Sequence, residues 1–290
     1  MKQNHPDNLR TAVEQRDIVP FIGVYDAFSA TIAARHFDGL FLSGFGFAAS
    51  FYGLPDIGFI AWSDIVQYVQ RIRTIVPTHH IVVDIDDGYC DPDTACHVVR
   101  QLESIGASAV VMEDQARPRR CGHVNGKRLM PLDDFLKKLE RVLATRDDLF
   151  VVARTDAIDR DERIRRARAF EAAGADAILV DGLEDLSLLR DLNEMLDQPL
   201  MFNQIAGGKS PRCSLSDLKE LGVSLVNYST PCLFAAQQAI NDSMRDLIAS
   251  DGTLPDTALS GVGVADCNGL LNENLESTIM DTSMVRNRMR

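Results

Sequence analysis

The stretch Phe150-Val151-Val152-Ala153-Arg154-Thr155-Asp156 is apolar for four residues and then abruptly charged. Four consecutive apolar side chains leave a strand no polar face, so it must be covered on both sides, the condition of a parallel sheet wrapped by helices. Ile81-Val82-Val83 repeats the pattern and ends on Asp84-Ile85-Asp86. Outward from these two, the same unit recurs along the chain. β-Type runs fall at Ile18 to Val24, Gly39 to Gly44, His80 to Asp86, Ala107 to Glu113, Leu149 to Thr155, Ala175 to Asp181, Leu200 to Ile205 and Ser224 to Tyr228. Segments of helical period lie between them at 27–36, 63–75, 92–105, 132–146, 161–173, 184–196 and 215–221, with a last from Pro231 to Ala249. Ser63 and Ser214 read as N-caps and Pro231 as a first-turn residue. Eight βα units in roughly 230 residues predict an α/β fold, a closed (β/α)8 barrel of TIM type. Residues 1–16 then form an N-terminal segment, 17–250 the catalytic barrel, and 251–290 a polar tail with a short helical pattern from Leu270 to Met280.

The chain has 290 residues, 46% of them apolar and 25% charged, enough to bury a large core. Its 30 basic and 42 acidic side chains give a net charge of -12, which argues against a nucleic-acid or anionic-membrane surface. An anionic substrate must therefore meet a local positive patch. The opening MKQNHPDNLRTAVEQ has no apolar core of signal-peptide type, and no apolar run approaches the roughly 18 residues that span a bilayer. A cytoplasmic protein is expected. Cys90, Cys96, Cys121, Cys213, Cys232 and Cys267 are spaced irregularly, which suits reduced thiols rather than a disulfide framework.

A barrel of this kind carries its active site where strands end and βα loops begin. Polar residues gather there in nearly every unit: Asp26 after the first strand, Ser43 at the second, Asp84 and Asp86 at the third, Glu113 and Asp114 at the fourth. Arg154 and Asp156 follow at the fifth, Asp181 at the sixth, Asn203 in the seventh, and Tyr228 with Ser229 at the eighth. One residue apart on a strand, Asp84 and Asp86 point to one face, and Glu113 on the next strand adds a third oxygen ligand. An all-oxygen set suits Mg2+, with Mn2+ as the alternative; ordinary loop aspartates are the plain reading.

The loop Glu113-Asp114-Gln115-Ala116-Arg117-Pro118-Arg119-Arg120-Cys121-Gly122-His123 sets a cysteine between cations and a histidine. Cys121 reads as a buried structural thiol, as a zinc ligand with His123 lacking a second pair, or as a reactive thiol. In the third reading Arg119, Arg120 and His123 lower its pKa and the nearby carboxylates oppose them, leaving a thiol that can give a proton to a carbanion. Gly208-Lys209-Ser210 ends like a P-loop, but the required earlier glycine is Asn203.

These segments, in order, resemble the isocitrate lyase and phosphoenolpyruvate mutase superfamily over residues 17 to 240. The resemblance rests on Tyr25-Asp26-Ala27, Ser43-Gly44, Gly53-Leu54-Pro55-Asp56, Asp84-Ile85-Asp86, Glu113-Asp114-Gln115, Cys121-Gly122-His123, Gly126-Lys127, Ala153-Arg154-Thr155-Asp156 and Asn203 with Gly207-Gly208-Lys209. It implies a small anionic 2-oxo or 2-hydroxy acid held on Mg2+ by Asp84, with Asp56, Asp86 and Glu113 direct or through water. Tyr25, Ser43, Gly44, Gly122, Asp181, Asn203 and Tyr228 would line the substrate, and Arg154 would offset its charge. Cys121 would protonate an enolate, with His123 and Arg119 beside it in the catalytic set; Tyr228, Arg119 or a water are the candidate bases.

The Cys-Gly-His loop is similar to that of methylisocitrate lyases and of carboxyphosphonoenolpyruvate mutase. The implied reaction is cleavage of a 2-alkylmalate or methylisocitrate type of acid. The alternatives are a phosphonate-forming mutase, an oxaloacetate hydrolase or decarboxylase, and a degraded or regulatory homologue. Three positions depart from the family pattern: Arg119 replaces a lysine, Asp181 a glutamate, and Ala206 a glutamate. The resemblance also implies a dimer or tetramer that exchanges a C-terminal helix between subunits.

Overall fold

The computed structural model describes residues 8–15, 18–123, 126–255 and 261–288. Eight parallel strands close on themselves in chain order: β1 (Val19–Val24), β2 (Gly39–Leu42), β3 (His80–Asp84), β4 (Ala109–Glu113), β5 (Phe150–Thr155), β6 (Ala177–Val180), β7 (Leu200–Gln204) and β8 (Val223–Tyr228). β8 returns to β1 with Leu225 opposite Val19. The outer helices are α2 (Ala27–Ala33), α4 (Trp62–Ile75), α5 (Pro92–Ser104), α6 (Leu132–Thr145), α7 (Arg160–Ala172), α8 (Ser187–Met195), α9 (Leu215–Glu220) and α10 (Pro231–Ala249). The expected (β/α)8 barrel is therefore present.

Local chemistry starts these helices where the barrel needs them. The Asp26, Asp91, Asp159 and Ser214 side chains each accept a hydrogen bond from a first-turn N–H of α2, α5, α7 and α9, and Pro92 and Pro231 sit in first turns. Ser63 is not a cap. α4 begins one residue before it, on extended Ala61, which makes no side-chain capping bond; Asp64 in the first turn supplies a charge favourable to the helix dipole.

Alternate strand positions divide the core. Val83, Met112, Val151 and Ile178 pack outward against the helices, while Phe41, Val82, Val111, Val152, Leu179, Met201 and Leu225 fill the barrel. An unexpected helix, α1 (Leu9–Gln15), inserts Leu9 and Ala12 into that inner cluster and seals the end where the strands begin. Arg10 lies over the Phe150 ring there. Two residues further along each strand the inward parity reaches Ser43, Asp84, Glu113, Arg154, Asp181, Asn203 and Asn227. The barrel is thus apolar below and polar at its C-terminal mouth.

Two further short helices follow β2: α3 (Gly44–Phe47) and a π-helical turn, Ala48–Tyr52. The tail holds more helix than its sequence suggests, α11 (Val264–Arg288), opened by the Gly263 N–H donating to Asp266. Its polar composition hides it, and residues 264–276 are exposed or half-buried. It lies near α2 and α4, where Asn274 donates to the Thr31 hydroxyl at 2.7 Å and Glu273 pairs with Arg35. Among the described residues no helix is long and apolar enough to cross a membrane.

Candidate active site

Ser43 ends β2 and caps α3, its hydroxyl accepting from the Gly46 N–H at 3.1 Å. A side chain on Gly44 would lie 3.1 Å from Asp84 Oδ2 and 3.5 Å from Asp86 Oδ1, so glycine lets both carboxylates approach the first turn of α3. They converge there, but not by strand alternation. β3 stops at Asp84, and Asp86 occupies a left-handed turn with φ 54°, its N–H donating to Asp84 Oδ1 at 3.1 Å.

Arg119 dominates this side of the site. Only 1% exposed, its guanidinium donates to Glu113 Oε1 at 2.8 Å, lies 3.1 Å from Asp86 Oδ1 and is hydrogen-bonded to Asp56. The loop leaves room for it: a Cβ on Gly58, whose φ of 80° already favours glycine, would fall 2.3 Å from Arg119 Cγ. Burial alone would weaken the guanidinium as a base-bound cation, but Glu113, Asp86 and Asp56 outweigh it and raise its pKa well above normal. Arg119 therefore stays charged and cannot act as the general base.

The same burial pushes Asp84 up and Asp86 to about 8, with the neighbouring aspartates adding to the rise and Arg119 opposing it. Buried carboxylates in excess of their cations, all with oxygen donors, fit a hard divalent ion. Among the described residues, no three His, Cys, Asp or Glu side chains form a ready metal cage. Arg119 stands between three of the four carboxylates, and among the described residues Asp84 is the member with no ion pair within 4 Å. The residues fit an ion that takes few protein ligands.

The cysteine loop is tied down by groups at the ends of β4, β5, β6 and β7. Gln115 donates to the Arg120 carbonyl at 2.7 Å and to Asp156 at 3.0 Å, and accepts from the Arg120 N–H. Lys127 bonds the Gly122 carbonyl and Asp156. A Cβ on Gly122 would lie 2.2 Å from Asp181 Oδ2 and 2.3 Å from an Arg154 nitrogen, so the backbone itself packs on that ion pair. His123 Nδ1 accepts from the Lys209 N–H at 3.0 Å, which puts the ring proton on Nε2, 3.4 Å from Asp181.

Arg154 pairs with Asp181 at 2.7 Å, Asp156 at 3.1 Å and Glu113 at 3.3 Å. Burial would raise Asp181, but Arg154, His123 and Asn203 prevail and hold it well below the usual carboxylate range. The Cys121 thiol behaves oppositely to expectation. Burial pushes it up to about 11, with Asp56 and Asp181 reinforcing the rise, because Arg119 is spent on carboxylates rather than on the sulfur. It is a thiol at neutral pH.

These groups line one cleft at the barrel mouth: Ser43, Asp56, Asp84, Arg119, Cys121, Gly122, His123, Arg154, Asp181 and Asn203 all reach it. Tyr25 and Tyr228 do not. Tyr228 follows inward-facing Asn227 and so turns outward, where it bonds Gln204, while Tyr25 packs beside Gly46. Asp86 and Glu113 lie behind Arg119. The departure at Ala206 falls at an exposed position outside the cleft.

Asn227 and the apolar residues Phe41, Phe45, Val111, Leu179 and Ile205 complete the lining, and sequence reading had not singled them out. Strand parity would have found Asn227, two residues beyond inward Leu225. Ser229 donates to Asn203 Oδ1 at 2.5 Å, and Asn227 Nδ2 donates to Ser229 at 2.9 Å, forming one polar wall.

Residues 9–248 match the family described as Phosphoenolpyruvate phosphomutase. The chain belongs to that family. It is an enzyme of the phosphoenolpyruvate mutase/isocitrate lyase superfamily. A 2-methylisocitrate lyase of Aeropyrum pernix is 33% identical over 83% of this chain and 79% of its own. The solved structure of a 2,3-dimethylmalate lyase superposes with a TM-score of 0.86 at 29% identity, covering 93% of this chain and 92% of the other. An oxaloacetate acetylhydrolase in complex with 3,3-difluorooxalacetate gives 0.85 at 27% identity over 97% and 96%.

Proposed function

We propose that this superfamily member is a Mg2+-dependent carbon–carbon lyase that cleaves a small 2-hydroxy dicarboxylic acid of 2-alkylmalate type through an enolate. The named lyase relatives support carbon–carbon cleavage. The observation that carries the finer reading is the position of Cys121 in the same cleft as Asp84 and Arg154, where burial pushes its thiol pKa up. A thiol that keeps its proton at neutral pH is suited to give it to a carbanion and ill suited to nucleophilic attack.

Asp84 would hold Mg2+, with Asp56, Asp86 and Glu113 around it, and the ion would supply electrostatic stabilisation to the substrate oxygens as the enolate forms. The chain's own residues do the rest. Ser43 and the first turn of α3 orient the 2-oxygen and its carboxylate. The hydroxyl proton passes to Asp56, a cleft carboxylate that is not the ion's principal ligand. The C2–C3 bond breaks with its electron pair on the departing acid, Arg154 offsets that charge, and Cys121 delivers the proton. His123 and Gly122 position the thiol through Asp181 and Lys209.

Substrate size follows from charge. Arg119 and Arg154, the two arginines of the cleft, are already paired with carboxylates. A third substrate carboxylate would find no spare guanidinium there, which favours dicarboxylic over tricarboxylic acids. Oxaloacetate hydrolysis is a second reading, supported by the acetylhydrolase likeness and by the Asn203, Asn227 and Ser229 wall, whose hydroxyl and amides can hold a water.

The test is turnover of 2-alkylmalates, methylisocitrate, oxaloacetate and phosphoenolpyruvate with and without Mg2+. The expected result is Mg2+-dependent release of an oxo acid from the alkylmalates, abolished by Cys121→Ala. No turnover, together with no Mg2+-dependent oxalate binding, would overturn the enzyme reading. We propose in addition that the chain acts as a homo-oligomer, since α10 buries none of its residues and presents Ile240, Met244 and Ile248.

A further inference from the structure

Four carboxylates surround the proposed ion site, and Arg119 engages three of them. Its planar fork is pre-shaped for this, with Nε on Glu113 and the terminal nitrogens on Asp56 and Asp86. The guanidinium is 1% exposed and its stem runs past Gly58, where even a methyl group would collide. It is a fixed cation inside the donor set. Among the described residues, Asp84 is the one of the four that reaches the cleft without an ion pair.

We infer that Arg119 is a resident counter-cation that keeps Asp56, Asp86 and Glu113 from gathering a divalent ion, so that metal enters stably only together with a chelating substrate. A dication near Asp84 meets a guanidinium at close range, and must share the surrounding carboxylates with it. A substrate bringing two oxygens, carboxylate and 2-oxygen, supplies the ligands that Arg119 has taken. The metal and the acid are thereby coupled: each raises the affinity of the other by the same factor. A lysine at this position would carry a compact ammonium on a shorter fork, unable to tie three carboxylates at once.

This inference rests on the metal-dependent reading above, and one experiment separates the two. Mn2+ binding to the full chain is measured by equilibrium dialysis for the wild type and Arg119→Lys, with and without oxalate, whose soluble Mn2+ chelate distributes equally across the membrane. Expected is weak wild-type binding without oxalate, at least tenfold tighter binding in Arg119→Lys, and an oxalate enhancement at least tenfold larger in the wild type. Wild-type Mn2+ affinity that oxalate leaves unchanged overturns the inference while leaving the metal reading intact. Absence of Mn2+ binding with oxalate in both proteins overturns the metal reading itself. Should Arg119→Lys not fold, the wild-type oxalate enhancement decides alone.

Discussion

At Cys121 the same sequence neighbours suggest one chemistry and the folded chain another. Arg119 and Arg120 flank the thiol in sequence, which predicts a lowered pKa, yet Arg119 turns to Glu113, Asp56 and Asp86 and burial wins. We expect Cys121→Ala to lose two to four orders of magnitude in turnover, typical of a removed general acid (about 10²–10⁴-fold), with an unchanged thermal midpoint. Alkylation by iodoacetamide should be slow at pH 7 and climb toward pH 11; fast alkylation at neutrality would show a thiolate and a different role. Which residue a charge addresses is a three-dimensional fact, so the presence of the cations was legible and their allegiance was not.

At the scale of elements, the ends of β3 and β4 set the pH response. An unfolded aspartate releases its proton near 3.8, whereas burial holds the proton on Asp86 until about 8. Between these values the native state binds more protons than the unfolded state, so stability falls as pH rises. A thermal midpoint without Mg2+ should decline from pH 5 to 8.5. Mg2+ with oxalate should raise the midpoint most at the alkaline end, the added stability being about 2.7 kcal/mol at a hundred times the dissociation constant. A midpoint flat across this range would mean these carboxylates are compensated without a metal. The strands themselves were readable from runs such as Phe150 to Ala153, because covering on both faces leaves a compositional mark. Tyr228 turns out of the barrel and Asn227 into it because side chains alternate along β8, a parity that the polar end of the strand alone does not reveal.

For the whole molecule, the eight units and the polar mouth were legible, while α1 and the length of α11 were not. α1 offers the core Leu9, Ala12 and the partly buried Val13 within two turns, too short a stretch to stand out in the sequence, and α11 is polar. The exposed Ile248, at 82%, and Ile240, at 60%, lie on a helix with no fully buried residue in the single chain. Such a face is unusual for a monomer. Light scattering should give a multiple of 32.0 kDa, shifted toward the monomer by Ile248→Asp; a monomer in the wild type would refute the assembly.

The apolar filling under the mouth, from Phe41, Val111 and Leu179 down to Leu9, also has a stereochemical meaning. Among the described residues that filling is apolar and offers no proton to a planar enolate seated on it, and Cys121 belongs to the loop lining the cleft. A substituted enolate is then attacked on one face. Turnover of a 3-methylated substrate in D2O should yield an acid with a single configuration at the newly labelled carbon, and a racemic label would mean that solvent reaches both faces.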